Sequence, residues 1–396
     1  MPDMDTAFGI YIHWPYCASK CPYCDFNSHV VEDRPEADWL AAILAEIGNL
    51  ADDYVGRPIT SVFFGGGTPS LMTAGSTGTI LNALAAKLTL SNNCEITLEA
   101  NPSSTEAAKL ADFRAAGVNR LSLGVQSFDD HALQFLGRRH DAATAQQAVE
   151  DARRAFDNIS FDLIYARLGQ SWAAWQKELA LALALAPDHI SLYQLTIEAG
   201  TPFALRAAQG EVLTLADVAA AEMFQQTRAY LAAAGLPAYE ISNHARPGAE
   251  ARHNLTYWRY QPYAGLGPGA HGRLPLPSDG VGGRGRLATQ KRRQPKRWMA
   301  MIKEGTVDPG QELTPQERFE EALLMGLRLT EGVDLDHVAN LADGSWQTWI
   351  NPSRVATLVD ENLVQHRGGR LTVTETGFLT LNAIIGYLLT GSAVAA

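Results

Sequence analysis

The stretch YIHWPYCASKCPYCDF, residues 11–26, places three of the chain's four cysteines within eight residues. Cys17, Cys21 and Cys24 have the spacing C-x3-C-x2-C, and they follow the run GIYIHW (9–14), which predicts a first β-strand. A zinc or iron–sulfur site normally takes four protein ligands, so the triplet indicates a metal site that is one protein ligand short. A [4Fe–4S] cluster held by three thiolates fits this pattern, because it leaves one iron open to an outside ligand.

Zinc is the weaker alternative for the triplet. Structural zinc usually draws a second pair of ligands from a distant part of the chain, and the sequence has no second cysteine pair. His13 and His29 are the side chains that could complete such a site. Cys94, the fourth cysteine, directly precedes a predicted strand and is interpreted as a small buried residue.

Composition and charge narrow the class of protein. With 396 residues, 46% of them hydrophobic and 19% charged, the chain can form two domains or one large domain with an appendage. No apolar run approaches the ~20 residues that cross a bilayer, and the N-terminal residues MPDMDTAFG lack the features of a signal peptide. This cysteine usage is typical of a reducing compartment, so a cytoplasmic protein is expected. The formal charge of −11 argues against nucleic acid as the main partner.

Residues 1–240 alternate between β-rich runs and Ala/Leu-rich segments with helical spacing. The predicted strands are GIYIHW (9–14), SVFFGG (61–66), EITLEA (95–100), RLSLGVQ (120–126), ISFDLIY (159–165) and HISLYQLT (189–196). Six strands that alternate with helices predict an α/β fold with a parallel sheet, interpreted as a partial (β/α)6 barrel of the TIM type. Most informative polar residues follow the carboxyl ends of strands, where such folds build their sites.

Residues 241–310 are predicted to be an irregular connecting region. They are rich in Gly, Pro, His and aromatic residues and show little periodicity. Seven Arg or Lys residues lie between positions 284 and 297. This basic stretch is interpreted either as a solvated loop or as a cradle for anionic groups such as phosphates or propionates.

Periodicity returns in residues 311–396, which form the third predicted region. Helical patterns in PQERFEEALLMGLRLT and NPSRVATLVDENL are followed by two short strands around a Gly-Gly turn in LVQHRGGRLTVTE and by a helix in TGFLTLNAIIGYLL. The order resembles a winged helix, which predicts an α+β module. Its eleven acidic and five basic residues give the wrong charge for a DNA reader, so packing or partner docking is expected.

The cysteine motif resembles that of the radical S-adenosylmethionine (SAM) family. In that family the open iron of the cluster binds SAM, and one electron from the cluster cleaves SAM to a 5′-deoxyadenosyl radical. Further matches lie on or at the ends of successive predicted strands: GGGTPS (65–70), LEANP (98–102), LGVQSF (123–128) and FDLIY (161–165). LGRRH (136–140) opens the segment that follows the fourth of these strands. Their polar residues are expected to face one mouth of the barrel.

Together with LYQLT, HNLTYW and GLGPGAHG, these motifs resemble the oxygen-independent coproporphyrinogen III oxidase family over nearly the whole chain. The resemblance implies that Cys17, Cys21 and Cys24 hold the cluster. It also implies a SAM site formed by Tyr11, Tyr23, Gly66, Gly67, Thr68, Glu99, Gln126, Arg138 and Asp162.

Two features make the chain most similar to the HemW branch of that family, the haem chaperones. The coproporphyrinogen dehydrogenases carry a fourth cysteine where this chain has Phe26, and they typically have an N-terminal extension, for which Tyr11 leaves almost no room. HNLTYW (253–258) resembles the HNxxYW signature of the HemW branch. One departure is ARLGQ (166–170), where the branch usually reads GLPGQ.

The resemblance implies a carrier of haem cargo that delivers haem to acceptor proteins such as membrane respiratory enzymes, and that needs an electron donor. Peripheral association with membrane partners would follow, and monomer and dimer both stay open as its oligomeric state. The alternative is a coproporphyrinogen III dehydrogenase that decarboxylates propionates with SAM. Whether the chain is an enzyme therefore stays open at this point.

Haem iron is commonly bound by imidazole, and His244, His253 and His271 lie within 28 residues, near several aromatic residues. His253 is the first candidate for an axial ligand and His271 the second. The alternative for His253 is a hydrogen-bonded strut between two parts of the fold.

Overall fold

A computed structural model describes residues 7–54, 57–103, 108–185, 187–276 and 283–390. Its main sheet has the strand order β13-β12-β11-β10-β1-β4-β5-β6-β7-β8-β9. The strands are β1 (Phe8–Trp14), β2 (Tyr16–Cys17), β3 (His29–Val30), β4 (Pro58–Gly66), β5 (Thr89–Ala100), β6 (Arg120–Gln126), β7 (Asn158–Tyr165), β8 (His189–Gln194), β9 (Asn243–Ala245), β10 (Tyr263–Leu266), β11 (His271–Pro275), β12 (Arg286–Gln290), β13 (Gln311–Glu312), β14 (Val333–Asp334), β15 (Val364–Arg367) and β16 (Arg370–Val373).

The described helices surround this sheet and continue into the C-terminal part of the chain. They are α1 (Glu36–Tyr54), α2 (Ala74–Lys87), α3 (Leu110–Ala115), α4 (Asp130–Phe135), α5 (Ala142–Ala155), α6 (Trp172–Ala184), α7 (Pro202–Ala208), α8 (Asp217–Ala233), α9 (Arg252–Trp258), α10 (Pro295–Lys303), α11 (Pro315–Gly326), α12 (Leu335–Leu341), α13 (Trp346–Trp349), α14 (Pro352–Asp360) and α15 (Leu381–Leu389). Several begin where a polar side chain caps the first turn, as Thr73 does for α2, Asp141 for α5 and Ser171 for α6.

The six predicted strands are β1, β4, β5, β6, β7 and β8, and each lies parallel to its neighbour in that order. Helices of the crossovers cover the outer face, so the outward residues of the strands are buried with them in one hydrophobic core. The predicted α/β class with a partial (β/α)6 barrel is confirmed. Parallel strands send their carboxyl ends to one edge, which places the strand-end motifs together.

The prediction that residues 241–310 are irregular is wrong. β9 pairs antiparallel with β8, and β10 pairs parallel with β1 on the opposite side of the sheet. β11, β12 and β13 then continue the sheet from β10 as antiparallel strands. These segments are short and interrupted by Gly, so they show little periodicity, and they become strands because an existing sheet edge supplies their hydrogen-bond partners. The predicted division at residues 240 and 310 stays a prediction.

The C-terminal module has its own hydrophobic core and a three-stranded antiparallel sheet in the order β14-β16-β15. The predicted helices, hairpin and final helix of the winged-helix-like module correspond to α11, α14, β15 with β16, and α15, while β14, α12 and α13 were not predicted. Its first helix starts with a capping box between Thr314 and Glu317. Phe224 and Tyr260 from the preceding part of the chain belong to this core, so the module packs directly on the barrel.

Two arginines reinforce that contact. Arg228 on α8 donates to both carboxylate oxygens of Glu375 and to the Glu240 carbonyl, and its guanidinium lies 4.7 Å from the Phe378 ring centroid. Arg273 on β11 pairs with Glu321 on α11 through two hydrogen bonds.

In the described ranges of the chain, none of the helices combines the length and apolar character that crossing a membrane requires.

Candidate functional site

The three clustered cysteines lie at the mouth of the barrel, on the loop after β1. Cys17 is the last residue of β2, which pairs with β3 and so closes the loop, and Cys21 and Cys24 lie between these strands. All three thiols are free and half-buried, whereas Cys94 is buried in the core as predicted. The loop is thus held at both ends while its sulfur atoms stay accessible.

A chain of hydrogen bonds joins two of these thiols through three of the sequence motifs. The Thr68 hydroxyl donates to Cys17 Sγ at 3.5 Å and accepts from Asn101 Nδ2 at 3.1 Å. Arg138 donates to Asn101 Oδ1 and, at 3.3 Å, to Cys21 Sγ. The motifs GGGTPS, LEANP and LGRRH therefore meet at the cysteine loop. Asn101 was not predicted, because a single Asn after a strand has no spacing that distinguishes it.

The donor set fits an iron–sulfur cluster with three protein ligands. Burial raises the pKa of the Cys17 and Cys24 thiols, and the hydrogen bond from Thr68 partly offsets this for Cys17. Arg138 supplies a positive charge that stabilises thiolate, and its Nε atom, although buried, has no hydrogen-bond partner among the described residues. Within those residues, no three His, Cys, Asp or Glu side chains form a group that could hold a metal ion.

The glycine turn after β4 brings backbone into the site. Gly66 has φ +112°, which favours glycine, and its N–H donates to Glu99 Oε2 at 3.2 Å. A Cβ atom on Gly67 would lie 2.6 Å from the Tyr16 carbonyl oxygen. A side chain at Gly67 cannot be accommodated, so the turn packs directly against the backbone that leads to Cys17.

Two carboxyl groups of the site have unusual acidities. Burial, and next the negative charge of Asp162, raise the pKa of Glu99 to about 8, while the Gly66 N–H acts in the opposite direction. Burial raises the pKa of Asp162 to about 6, against the effects of Ser191, Arg120 and Arg138. A cationic ligand placed near them would lower both pKa values by favouring the charged carboxylates.

A second hydrogen-bonded chain connects the first strand to the region after β10. Tyr11 donates to His13 Nδ1 at 2.9 Å, and His13 Nε2 donates to the Asn27 carbonyl at 2.9 Å. Asn27 Nδ2 donates to the carbonyls of Pro268 and Arg293, both at 2.9 Å. These contacts fix the cysteine loop to GLGPGAHG and to the basic stretch. His13, which is one of the two histidines that could complete a zinc site, and Asn27, which was not predicted, both have structural partners here.

The remaining predicted SAM-site residues also lie at the mouth. Gln126 ends β6 with φ +69°, a left-handed conformation that is uncommon outside glycine. Tyr23 packs beside Phe203, and burial raises the pKa of its hydroxyl. Asp162 lies on β7, next to Ser191 on β8 in the register of the sheet. The structure therefore brings the nine predicted positions to one end of the barrel.

A cavity of about 560 Å³ opens beside these residues. One wall carries Tyr11, Gly66 and Glu99 from the barrel, and the other carries Tyr257, Tyr263, His271 and Arg293 from the region after residue 240, together with the exposed Phe26. The cavity thus joins three of the predicted SAM residues to the aromatic and basic segment.

The structure supports the alternative interpretation of His253, a hydrogen-bonded strut between two parts of the fold. It is 1% exposed, its Nδ1 bonds the Ser61 hydroxyl at 2.9 Å, and its Nε2 bonds the Tyr257 hydroxyl at 2.7 Å. Both ring nitrogens are therefore occupied, and the prediction of His253 as first choice for an axial ligand conflicts with this geometry. His244 is equally buried, whereas His271 is exposed on the cavity wall.

Comparison with known proteins agrees with this fold. The sequence model of the Radical SAM superfamily matches residues 11–182, and that of the HemN C-terminal domain matches residues 313–380. The mitochondrial radical S-adenosyl methionine domain-containing protein 1 of Bos taurus is 39% identical over 96% of this chain and 87% of its own length. The heme chaperone HemW of Escherichia coli is 40% identical over 73% of this chain and 75% of its own, and that of Bacillus subtilis is 33% identical over 96% and 98%.

The structure titled "Coproporphyrinogen III oxidase (HemN) from Escherichia coli is a Radical SAM enzyme" superposes with a TM-score of 0.80 at 22% identity. It covers 98% of this chain and 91% of that one, so the two share a fold. The sequence relatives are closer, and they extend over the cysteine loop, the barrel and the C-terminal module. The chain belongs to the HemW-type family of radical SAM proteins.

Proposed function

We propose that this protein is a haem chaperone, which binds haem and transfers it to acceptor proteins, and that it holds a [4Fe–4S] cluster and SAM beside the haem. The cavity of about 560 Å³ is the observation that carries the proposal, because it joins the glycine turn, through Gly66, and the segment just after the cysteine motif, through Phe26, to the exposed imidazole of His271. Its volume lies within the ~300–1,000 Å³ range of pockets for organic ligands of this kind. The relatives named heme chaperone HemW support the same assignment.

The outer wall of the cavity has the chemistry that haem needs. Tyr257 and Tyr263 pack edge to face, with ring centroids 4.6 Å apart, and offer apolar surface to a macrocycle. Arg293 belongs to the basic stretch and lines the same cavity, so it is the proposed partner of a propionate. Desolvation and the charges of Arg273 and Arg293 lower the pKa of His271, which favours the neutral imidazole that binds metal. We therefore assign His271 as the axial ligand.

The inner wall is assigned to SAM and to the cluster. Cys17, Cys21 and Cys24 would hold the cluster, which when loaded supplies an electron to SAM. The peptide groups of the glycine turn would orient the amino acid part of SAM, and Glu99 would carry a charge opposite to its cationic groups. Arg138 and Thr68 donate hydrogen bonds to two of the thiols.

Haem titration tests the ligand assignment. Wild-type protein should give the absorption spectrum of histidine-ligated haem, His271→Ala should lose it, and the control His131→Ala, an exposed histidine on α4, should keep it. His253→Phe should retain ligation if it folds, because that ring bonds only protein atoms. An unchanged spectrum for His271→Ala would move the ligand elsewhere. No haem binding by the wild type would overturn the proposed function.

A product assay separates the chaperone from the dehydrogenase alternative. Cluster-reconstituted protein would be incubated anaerobically with SAM, a strong reductant and coproporphyrinogen III, and the porphyrins separated by chromatography. We expect no protoporphyrinogen, because Phe26, 61% exposed at the cavity wall, replaces the additional cysteine of the dehydrogenases. Formation of that product would establish the enzyme instead. The acceptor proteins, the electron donor and a cytoplasmic location remain parts of the proposal.

A further inference from the structure

One side chain that lines the large cavity has no role in the haem and SAM assignments made above. Met325 lies on α11 of the C-terminal module, and its half-buried side chain lines the same cavity as His271 on β11. A thioether sulfur binds haem iron together with histidine in cytochromes of the c type. The cavity therefore brings together two side chains that can bind iron, one from each part of the protein.

An ion pair fixes the helix and the strand against each other beside this cavity. Arg273 on β11 donates to Glu321 on α11 over distances of 2.8 Å and 2.7 Å. His271 is two residues from Arg273 on the strand, and Met325 is four residues from Glu321 on the helix. Side chains two apart on a strand share a face, as do side chains four apart on a helix. The ion pair thus holds together the two faces that carry His271 and Met325, which agrees with their common cavity.

Several other iron-binding groups among the described residues of the cavity are occupied by protein partners. Tyr11 donates to His13 Nδ1, and His13 Nε2 donates to the Asn27 carbonyl. The Tyr257 hydroxyl bonds Nε2 of the buried His253. Binding iron through any of these atoms would break a hydrogen bond that holds the site together, and the thioether of Met325 avoids that cost.

Glu99 and Tyr263 also carry oxygen atoms into the cavity. Glu99 accepts from the Gly66 N–H beside the glycine turn, where the SAM assignment uses it. Burial raises the pKa of the Tyr263 hydroxyl, which disfavours the phenolate that binds haem iron. A thioether has no proton to lose, so it is available to iron throughout the physiological pH range.

We propose that Met325 is the second axial ligand of the bound haem iron, on the side of the macrocycle opposite His271. The inference rests on the proposed haem function and deepens it. A thioether ligand raises the reduction potential of the haem compared with other axial ligands. Because α11 belongs to the C-terminal module, the haem would be held by both parts of the protein. Its transfer to an acceptor would then require the bond between iron and the module to break.

Haem titration of full-length Met325→Leu tests this assignment. Leucine has nearly the volume of methionine, so the module should keep its fold, and thermal unfolding checks this. Wild-type protein should show six-coordinate, low-spin haem with the weak long-wavelength band of a ferric haem–thioether bond. Met325→Leu should lose that band, give the spectrum of five-coordinate, high-spin haem, and shift the haem reduction potential to a more negative value. The matched control is Met299→Leu, a half-buried methionine on α10 that lies outside the cavity, and it should behave like the wild type.

Two outcomes would overturn this inference alone. One is a spectrum and a reduction potential of Met325→Leu that equal those of the wild type, and the other is five-coordinate haem in the wild type itself. In both cases haem binding that depends on His271 would leave the proposed function standing. A wild-type protein that binds no haem would instead overturn the proposed function, and this inference with it.

Discussion

Arg138 connects the cysteine loop to two strand ends through a single guanidinium group. It donates to Cys21 Sγ, to Asn101 Oδ1 and, at 2.7 Å, to the Gly124 carbonyl. The resemblance implies a role for Arg138 at SAM, whereas these contacts are with a proposed cluster ligand, Cys21, and its surroundings. Hydrogen bonds and positive charge near the sulfur ligands raise the reduction potential of a cluster.

Arg138→Gln should therefore shift the reduction potential of the reconstituted cluster to a more negative value. The substitution removes a charged donor to Cys21 Sγ. An EPR-monitored redox titration measures the shift, and iron and sulfide content shows whether the cluster is fully loaded. Arg139→Gln is the control, because that neighbouring side chain is exposed. A potential equal to that of the wild type would mean that Arg138 does not tune the cluster.

Glu99 should make folding stability fall as the pH rises. Its pKa is raised from 4.5 to about 8, so the folded state binds this proton more tightly than the unfolded chain does. The stabilising contribution is complete below pH about 4.5 and is lost as the pH rises through about 8. Glu99→Gln, which stays neutral, should be more stable than the wild type at pH 8 and should show a weaker pH dependence. Urea unfolding of cluster-free protein between pH 5 and pH 8 tests this, and identical pH profiles would contradict it.

The grouping of the predicted site residues at one mouth could be predicted, because these residues lie near strand ends and the sequence pattern predicts where the strands end. Glu99, Gln126 and Asp162 each belong to a predicted strand, and parallel order was enough to place them at one mouth. The burial of His253 could not be predicted in this way. Its partner Ser61 is 192 residues away, and only the packing of α9 against β4 brings the two together.

The turn after β4 illustrates how an element can depend on the absence of side chains. The Gly67 N–H donates to the Trp14 carbonyl at 2.7 Å, and Thr68 N–H donates to the Tyr16 carbonyl at 2.9 Å. The turn therefore packs its backbone directly on the backbone that leads to Cys17. Both the glycine run and its strand were evident in the sequence.

Gly67→Ala should destabilise the protein by about 1–3 kcal/mol, because the new methyl group would meet Tyr16 backbone that cannot easily move. Gly75→Ala is the matched control. It lies in the first turn of α2, where the nearest atom to a new Cβ is 3.8 Å away. It should stabilise by up to about 1 kcal/mol, as alanine does in helices. Urea unfolding measures the free energy of unfolding of both variants. If both substitutions stabilised the protein, or both destabilised it, this explanation would be contradicted.

The strands after residue 240 could not be predicted from their own sequence. β10, β11 and β12 have only four or five residues each, and β10, which joins them to the barrel, pairs with β1 more than 240 residues earlier in the chain. Strand pairing over such a separation depends on the edge that the barrel already presents. The C-terminal module was predictable because its helices have clear spacing and its hairpin has a Gly-Gly turn.

The contacts that join the barrel to the C-terminal module differ in how much they contribute to stability. Arg228 has a side chain that is 6% exposed, whereas its partner Glu375 is 70% exposed. The arginine also bonds the Glu240 carbonyl and stacks on Phe224 and Phe378. Most of its contribution should therefore come from burial and from contacts other than the ion pair.

Arg228→Met should lower the free energy of unfolding by about 2–4 kcal/mol, since it leaves a buried carbonyl without its donor. Glu375→Gln should cost less than about 1 kcal/mol, because an exposed ion pair is weak. Urea unfolding measures both, and hydrogen exchange in residues 315–389 reports on the module alone. Equal losses in the two variants would show that the ion pair itself dominates.

The position of β1 has a consequence for synthesis on the ribosome. Gly9 on β1 pairs with Tyr263 on β10, about 250 residues later, so one side of the strand that carries the cysteine loop has no partner until most of the chain has been translated. At 5–20 residues per second that delay is roughly 12–50 s. The three thiols thus leave the ribosomal tunnel long before their loop can be fixed to Pro268 and Arg293. The three thiols must therefore stay reduced throughout this interval. We expect the cluster to be inserted after translation.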